Sequence, residues 1–206
     1  MDAAALSTLL QTAAPGVTVE PLGSIDMPTI AVEREHLLEV FGILRDHPSL
    51  QFAFLVDVTA VDVLPASPRY EIVYHLACLG PHYLTAGATQ AAAPSRLRVK
   101  VRLPGDDARV PSVTSVYPTA GWPEREVFDL FGIGFDGHPD LRRILMPDDW
   151  QGHPLRKDYP VQIRKDAAAW SPLQMTPEEF ARNVRAGREQ ATRDARPSGP
   201  QSDKRD

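Results

Sequence analysis

The sequence predicts an α+β fold, a two-layer sandwich in which helices pack on a mixed sheet of about five strands. Two observations carry this. The apolar periodicity runs in the order helix, two strands, helix, three strands, without the regular strand-helix alternation of a parallel α/β fold. The run Leu97, Val99, Val101, Leu103 alternates with Arg98, Lys100, Arg102, so the sheet has one buried face and one solvated face.

The first helix is expected over residues 3 to 13, where Leu6, Leu9 and Leu10 fall at i, i+3, i+4 and Pro15-Gly16 end the pattern. Val17 and Val19 then alternate with polar neighbours. Gly23 and Asp26 turn the chain into a second short strand at Thr29 to Val32, making a hairpin-like pair. A second helix is expected from about Glu33, with Leu37, Leu38, Phe41 and Leu44 on one face, Glu33, Glu35 and Glu39 toward its positive end, and Pro48 as the stop.

Three strand-like runs follow, Phe52 to Val63, Tyr70 to Leu79 and Leu97 to Leu103, rich in Val, Ile, Phe or Tyr. The Gly/Ala/Pro stretch from Gly80 to Pro94 is expected to be a surface loop. Past Pro104 a short polar helix or turn is expected near Ser112 to Val116 and a stronger helix at Pro123 to Phe131. Proline-punctuated chain with little regular structure then runs to Pro172. Thr176-Pro177-Glu178-Glu179 offers a capping box for a last helix. Residues 187 to 206 have the composition of a disordered end. Three parts are expected: a core domain at 1-135, an extended interface segment at 136-175, and a short helix with tail at 176-206.

The 206 residues suffice for one core with appendages. The 20 prolines are nearly twice the usual frequency of about 5%, so much of the chain must run extended or in turns. No apolar run approaches the roughly 18 residues needed to cross a bilayer. The start MDAAALSTLL lacks a basic n-region followed by an apolar h-region, so a soluble, non-exported protein is expected. Cys78, the single cysteine, can form no internal disulfide, and an iron-sulfur cluster takes about four thiolates. Residues 1 to 137 hold nine basic and sixteen acidic side chains, residues 138 to 206 thirteen and eleven. That asymmetry suits contact with protein surfaces better than with nucleic acid, which favours a concentrated basic face.

The informative stretch is Gly121 to Pro160. Pro123 at the first turn, Glu124 and Glu126 behind it, and Gly132 at the far end frame a short helix whose buried face is Val127, Leu130 and Phe131. Gly132-Ile-Gly134-Phe-Asp-Gly137 is formally a GxGxxG. A dinucleotide site needs that motif between a strand and a helix, and here a helix precedes it, so a cap and turn are expected. His138 and His153 each sit in a Gly-His-Pro triplet near Asp140, Asp148, Asp149 and Asp158. Neither a CxxC nor an HxxxH accompanies them, so turn and hydrogen-bonding roles are expected rather than metal ligation. The triplets open two echoes, GHPDLRR and GHPLRK. Their Arg142, Arg143, Arg156 and Lys157 could form an anion site, but the neighbouring aspartates favour ion pairs within the chain or across an interface. Trp150, Leu155, Tyr159, Leu145 and Met146 interleave with them like interface anchors.

The run Glu124-Arg125-Glu126-Val127-Phe128-Asp129-Leu130-Phe131-Gly132-Ile133, then Gly137-His138-Pro139-Asp140-Leu141-Arg142-Arg143-Ile144-Leu145, then Gly152-His153-Pro154-Leu155-Arg156-Lys157-Asp158-Tyr159-Pro160, resembles the signature of the C-type, 30-kDa-type family of respiratory complex I, the proton-translocating NADH:quinone oxidoreductase. Some forty residues match nearly without a gap. The resemblance implies a docking and assembly role in the peripheral arm, on the cytoplasmic side of a bacterial inner membrane. Its neighbours would be the large quinone-pocket subunit and the ferredoxin-like subunit. It implies no catalytic, cofactor-binding or metal residue in this chain, with FMN, iron-sulfur clusters and quinone held by partner subunits. Glu124, Arg125, Glu126, Asp129, His138, Asp140, Arg142, Arg143, Trp150, His153, Arg156, Lys157, Asp158 and Tyr159 become the signature and expected subunit interface. Because prolines 139, 147, 154 and 160 deny His138 to Pro160 a continuous helix or strand, that segment is expected to be ordered mainly by the quinone-pocket partner. Trp150 and Tyr159 would be anchors there, and Arg142 and Arg156 would pair with carboxylates across the boundary. The alternatives are the equivalent subunit of a related membrane-bound hydrogenase or ferredoxin-dependent complex, and a free-standing nucleotide-binding oxidoreductase.

Overall fold

Helix α1, Ala3–Ala13, begins where the Asp2 carboxylate accepts from the Ala5 N–H at 2.8 Å, which satisfies one of the unpaired donors of the first turn. Leu6 and Leu10 face the core. The chain then forms β1, Val19–Leu22, and β2, Thr29–Val32, which pair antiparallel as the hairpin pattern predicts. The structure is a computed structural model and describes residues 2–80, 95–160 and 182.

A 3-10 turn at Arg34–His36 leads into α2, Leu37–Asp46. Its buried face is Leu37, Val40, Phe41 and Leu44, each with no exposed surface. Val40 takes the place expected of Leu38, which lies on the border of the helix face and stays 38% exposed. The ring of Phe41 stands edge-on to Tyr74 at 5.0 Å and to Tyr117 at 5.8 Å, pairs that contribute about 0.5 to 1.5 kcal/mol each beyond area burial.

Strands β3, Phe54–Asp62, β4, Tyr70–Cys78, and β5, Ser95–Leu103, complete a five-stranded sheet in the order β1-β2-β5-β4-β3. The β2-β5 pair is parallel and the other pairs antiparallel, so the sheet is mixed, as expected. Leu97, Val99, Val101 and Leu103 are all fully buried under the helices. On the opposite face Arg98 pairs with Asp26, Lys100 with Glu71, and Arg102 with Glu20.

The stretch after Pro104 holds more regular structure than its composition suggests. Strand β6, Arg109–Pro111, runs to a 3-10 turn at Pro118–Ala120, helix α3, Gly121–Phe131, and strand β7, Gly134–Asp136. Strands β6 and β7 pair in parallel; at three residues each, neither is long enough to show a period. Gly132 closes α3 in the left-handed region at φ 72°, where only a residue without Cβ sits at no cost. The GxGxxG therefore follows a helix and enters a strand, the reverse of the nucleotide-binding order. The residues expected as the surface loop beyond Gly80, the last helix and the tail lie outside the described residues.

Candidate functional site

Helix α3 buries two carboxylates, and these organise everything C-terminal to it. Glu124 and Asp129 have no exposed surface, although periodicity assigns the buried face to apolar residues. Glu124 Oε2 accepts from Ser112 Oγ at 2.6 Å and Oε1 from the Val113 N–H at 2.8 Å, which ties the first turn of α3 to the turn after β6. Burial pushes the Glu124 carboxyl up from its ordinary range, partly offset by those two bonds. The His138 ring lies 3.9 Å from it. His138 Nδ1 accepts from the Asp140 N–H and Nε2 donates to the Gly121 carbonyl, at 3.0 Å each, so both ring nitrogens are used and the ring is fixed in place.

Asp129 is the hub of the following segment. Its Oδ2 accepts from the backbone N–H groups of Ile144, Leu145 and Met146 at 3.0, 2.8 and 2.8 Å. Its Oδ1 accepts from Arg143 Nη1 at 2.6 Å. Burial alone would raise this carboxyl, but the three N–H groups and the guanidinium overcome it and hold the group below its usual range. Arg143 spends its second nitrogen on the carbonyls of Trp150 and Gly152, at 3.0 and 3.1 Å. Arg125 reaches the carbonyls of Arg142 and Arg143, both at 3.1 Å.

The second echo caps the helix. The last carbonyls of an α-helix have no partner within it. Here Asp129 O meets His153 Nδ1 at 2.9 Å, Leu130 O accepts from the Leu155 N–H at 3.0 Å, and Phe131 O accepts from Arg156 Nε at 2.5 Å. Two guanidinium groups near the negative end of the dipole add to this. Burial, with Arg156 and Arg143 nearby, pushes the His153 imidazole down, and Nδ1 is the donor because its partner, the Asp129 carbonyl, can only accept. Beyond it the Lys157 N–H donates to Asp62 Oδ2 at 2.9 Å, and Arg69 bridges Asp62 and Asp158 at 2.8 Å each. The Arg69 guanidinium pulls the Asp62 carboxyl down to about 2. Tyr159 donates its hydroxyl to the Gln151 carbonyl at 3.1 Å.

The expectation that a partner must supply the hydrogen bonds of His138 to Pro160 is corrected by this geometry. Prolines do deny the segment a ladder of its own, but side chains of α3 and of the β3–β4 turn take the place of one. Arg156 donates to the helix-end carbonyls of Phe131 and Gly132. The compact unit accordingly runs Met1–Pro160. Trp150 and Tyr159 are half-buried. Arg142, in contrast, has a 71% exposed side chain and pairs with neighbouring Asp140 at 2.9 Å.

Exposed side chains beside this clamp of Asp129, Arg143, His153 and Arg156 include Trp122, Leu145 and Leu155, at 70, 59 and 51% exposure, and Glu126, Asp140 and Arg142. Trp122 stacks against Arg125, whose guanidinium carbon is 5.4 Å from the ring centroid. Sequence reasoning passed over this residue, although a tryptophan beside a helix-opening proline and off the Val127 face is a signal for it. Asp62 and Arg69 were also missed; nothing local marks partners lying some ninety residues away. Among the described residues no group of three or more His, Cys, Asp or Glu could hold a metal ion, and no helix is long and apolar enough to cross a membrane.

Comparison with known proteins bears on this arrangement. The family model described as "Respiratory-chain NADH dehydrogenase, 30 Kd subunit" matches residues 30–165. The chain is 41% identical over 192 residues to a C-type subunit of the NADH-quinone oxidoreductase of Rhizobium etli, covering 91% of each chain. It is 49% identical over 134 residues to the C-type subunit of the same enzyme from Saccharopolyspora erythraea, covering 65% of this chain and 49% of that protein. A solved chain of the membrane-bound sulfane sulfur reductase, an archaeal respiratory membrane complex, is 21% identical with a TM-score of 0.58 over 98% of both chains, a likeness of fold. With the clamp built from the same residues that carry the signature, the chain belongs to the 30 kDa subunit family of the respiratory-chain NADH dehydrogenase.

Proposed function

We propose that this chain is a non-catalytic docking subunit in the peripheral arm of an NADH:quinone oxidoreductase. FMN, the iron-sulfur clusters and the quinone would belong to partner subunits. Its neighbours would be the quinone-pocket subunit and the ferredoxin-like subunit, on the cytoplasmic side of a bacterial membrane.

The observation that carries the reading is where the signature side chains are spent. Asp129, Arg125, Arg143, His153 and Arg156 bind backbone groups of the chain's own arm and of helix α3. Such bonds fix a surface in advance of binding and lower the ordering cost of association. Exposed side chains of this region include Trp122, Leu145, Leu155 and Arg142, and aromatic, aliphatic and arginine side chains are residue types suited to an interface.

Affinity purification of the tagged chain from detergent-solubilised membranes tests this. Co-purification of NADH-oxidising flavoprotein subunits together with the quinone-pocket and ferredoxin-like subunits is the expected result. Recovery with a nickel-iron hydrogenase subunit, or with no partner at all, would overturn it.

A further inference from the structure

The two edges of the five-stranded sheet are built differently. Edge strand β1 has four residues and carries Glu20 and Pro21, and a short edge with a charge and a proline resists further pairing. Edge strand β3 has nine residues, Phe54–Asp62, without lysine or proline. It pairs with β4 on one side, and among the described residues no backbone group pairs with it on the other. Three of its exposed side chains are apolar, Phe54 at 44%, Val56 at 52% and Val61 at 45%, and the fourth is Asp57. A long edge of this kind is a template for another strand.

We propose that the open edge of β3 is completed, in the assembled complex, by an extended strand from a partner subunit. That strand carries apolar side chains at alternate positions and a basic residue facing Asp57. Extended backbone is the occupant because only it supplies N–H and C=O groups at the spacing of a β-ladder. A helix packed there would leave the row unpaired.

Charge selects against a second copy of this chain. Asp57 is exposed near the middle of β3, so a two-fold pairing that overlaps the two strands brings the Asp57 carboxylates within one or two positions of each other, where like charges destabilise. A hetero-strand with lysine or arginine at that place gains a cross-strand ion pair. The bulge between Leu55 and Asp57 sets the register, since the incoming strand must match one extra residue.

The inference rests on the docking function proposed above. Its test is amide hydrogen exchange of residues 54 to 62 in the full chain, isolated and within the purified complex. Exchange slowed about tenfold or more in the complex is expected, as for amides drawn into a ladder. The double variant Val56→Lys, Val61→Lys should melt like the wild type when isolated but be recovered in the complex at a small fraction of its level. Equal exchange in the two states overturns the proposal, because the edge is then open or filled without a partner. Dimerisation of the isolated chain through β3, or wild-type recovery of the double variant, overturns it too. If the chain co-purifies with the complex and β3 exchange is unchanged, the edge proposal alone fails; if it does not co-purify, both fall.

Discussion

The guanidinium of Arg143 meets the buried carboxylate of Asp129 at 2.6 Å, and the second oxygen of that carboxylate is filled by three consecutive backbone N–H groups, Ile144 to Met146. One side chain on α3 thereby fixes four groups of a segment that has no secondary structure of its own.

Replacing Asp129 with alanine strands Arg143 and three amide donors at once. Breaking a buried pair in this way costs on the order of 3 kcal/mol. Urea unfolding of Asp129→Ala should show a loss of that order, and limited proteolysis should cut between residues 141 and 152 at protease concentrations that leave the wild type intact. An arm that stays resistant would mean Asp129 is not its anchor.

The arginines separate bracing from docking. Arg156→Ala uncaps α3 and should lower the stability of the isolated chain by about 1.5 to 3 kcal/mol, the usual worth of charge-assisted hydrogen bonds. Arg142→Ala and Trp122→Ala, at exposed positions, should change it by no more than about 0.5 kcal/mol, yet reduce recovery of the chain with the complex. Thermal melts and quantitative pull-downs on the three variants decide the assignment.

Gly132→Ala meets two obstacles. The left-handed φ of 72° costs an alanine about 1 kcal/mol, and the added Cβ would overlap the Arg156 guanidinium and the His153 ring. A total loss above about 2 kcal/mol is expected, measured by the urea midpoint. A silent substitution would show that the cap shifts freely.

Glu124 and Asp62 predict opposite limbs of the pH profile. The folded-state pKa of Glu124 is raised above its ordinary 4.5, so its contribution is complete below that pH and is lost as pH rises through the folded value. Glu124→Gln should flatten the decline above pH 4.5. Asp62 is held near 2 against an ordinary 3.8. Its contribution is complete above 3.8 and lost as pH falls toward 2, a loss that Asp62→Asn should remove. Urea midpoints at intervals from about pH 2 to 8 read both.

The alternation in β5, the i, i+3, i+4 spacing in α1 and α2 and the turn residues between β1 and β2 are local patterns. Each reports burial of one face within a single element, so the α+β class and the five strands of the main sheet were legible from them, while β6 and β7 were not; Pro123 and Gly132 framed α3. The Gly121 to Pro160 signature likewise marked the region that matters. Its partners were not legible there: Lys157 meets Asp62, Arg156 meets Phe131, and Asp129 meets Leu145, at sequence separations over which no periodicity runs. The sequence by itself determined that His138 to Pro160, beyond isolated turns such as Trp150 N–H to the Pro147 carbonyl, needed other groups to supply its hydrogen bonds, because its prolines remove donors and break any ladder. Only the tertiary structure decided who supplies them. Folding brings the carboxylates of α3 and the unpaired carbonyls at its end within about 3 Å of that backbone, and buried polar groups take the nearest partner of correct charge rather than wait for another chain.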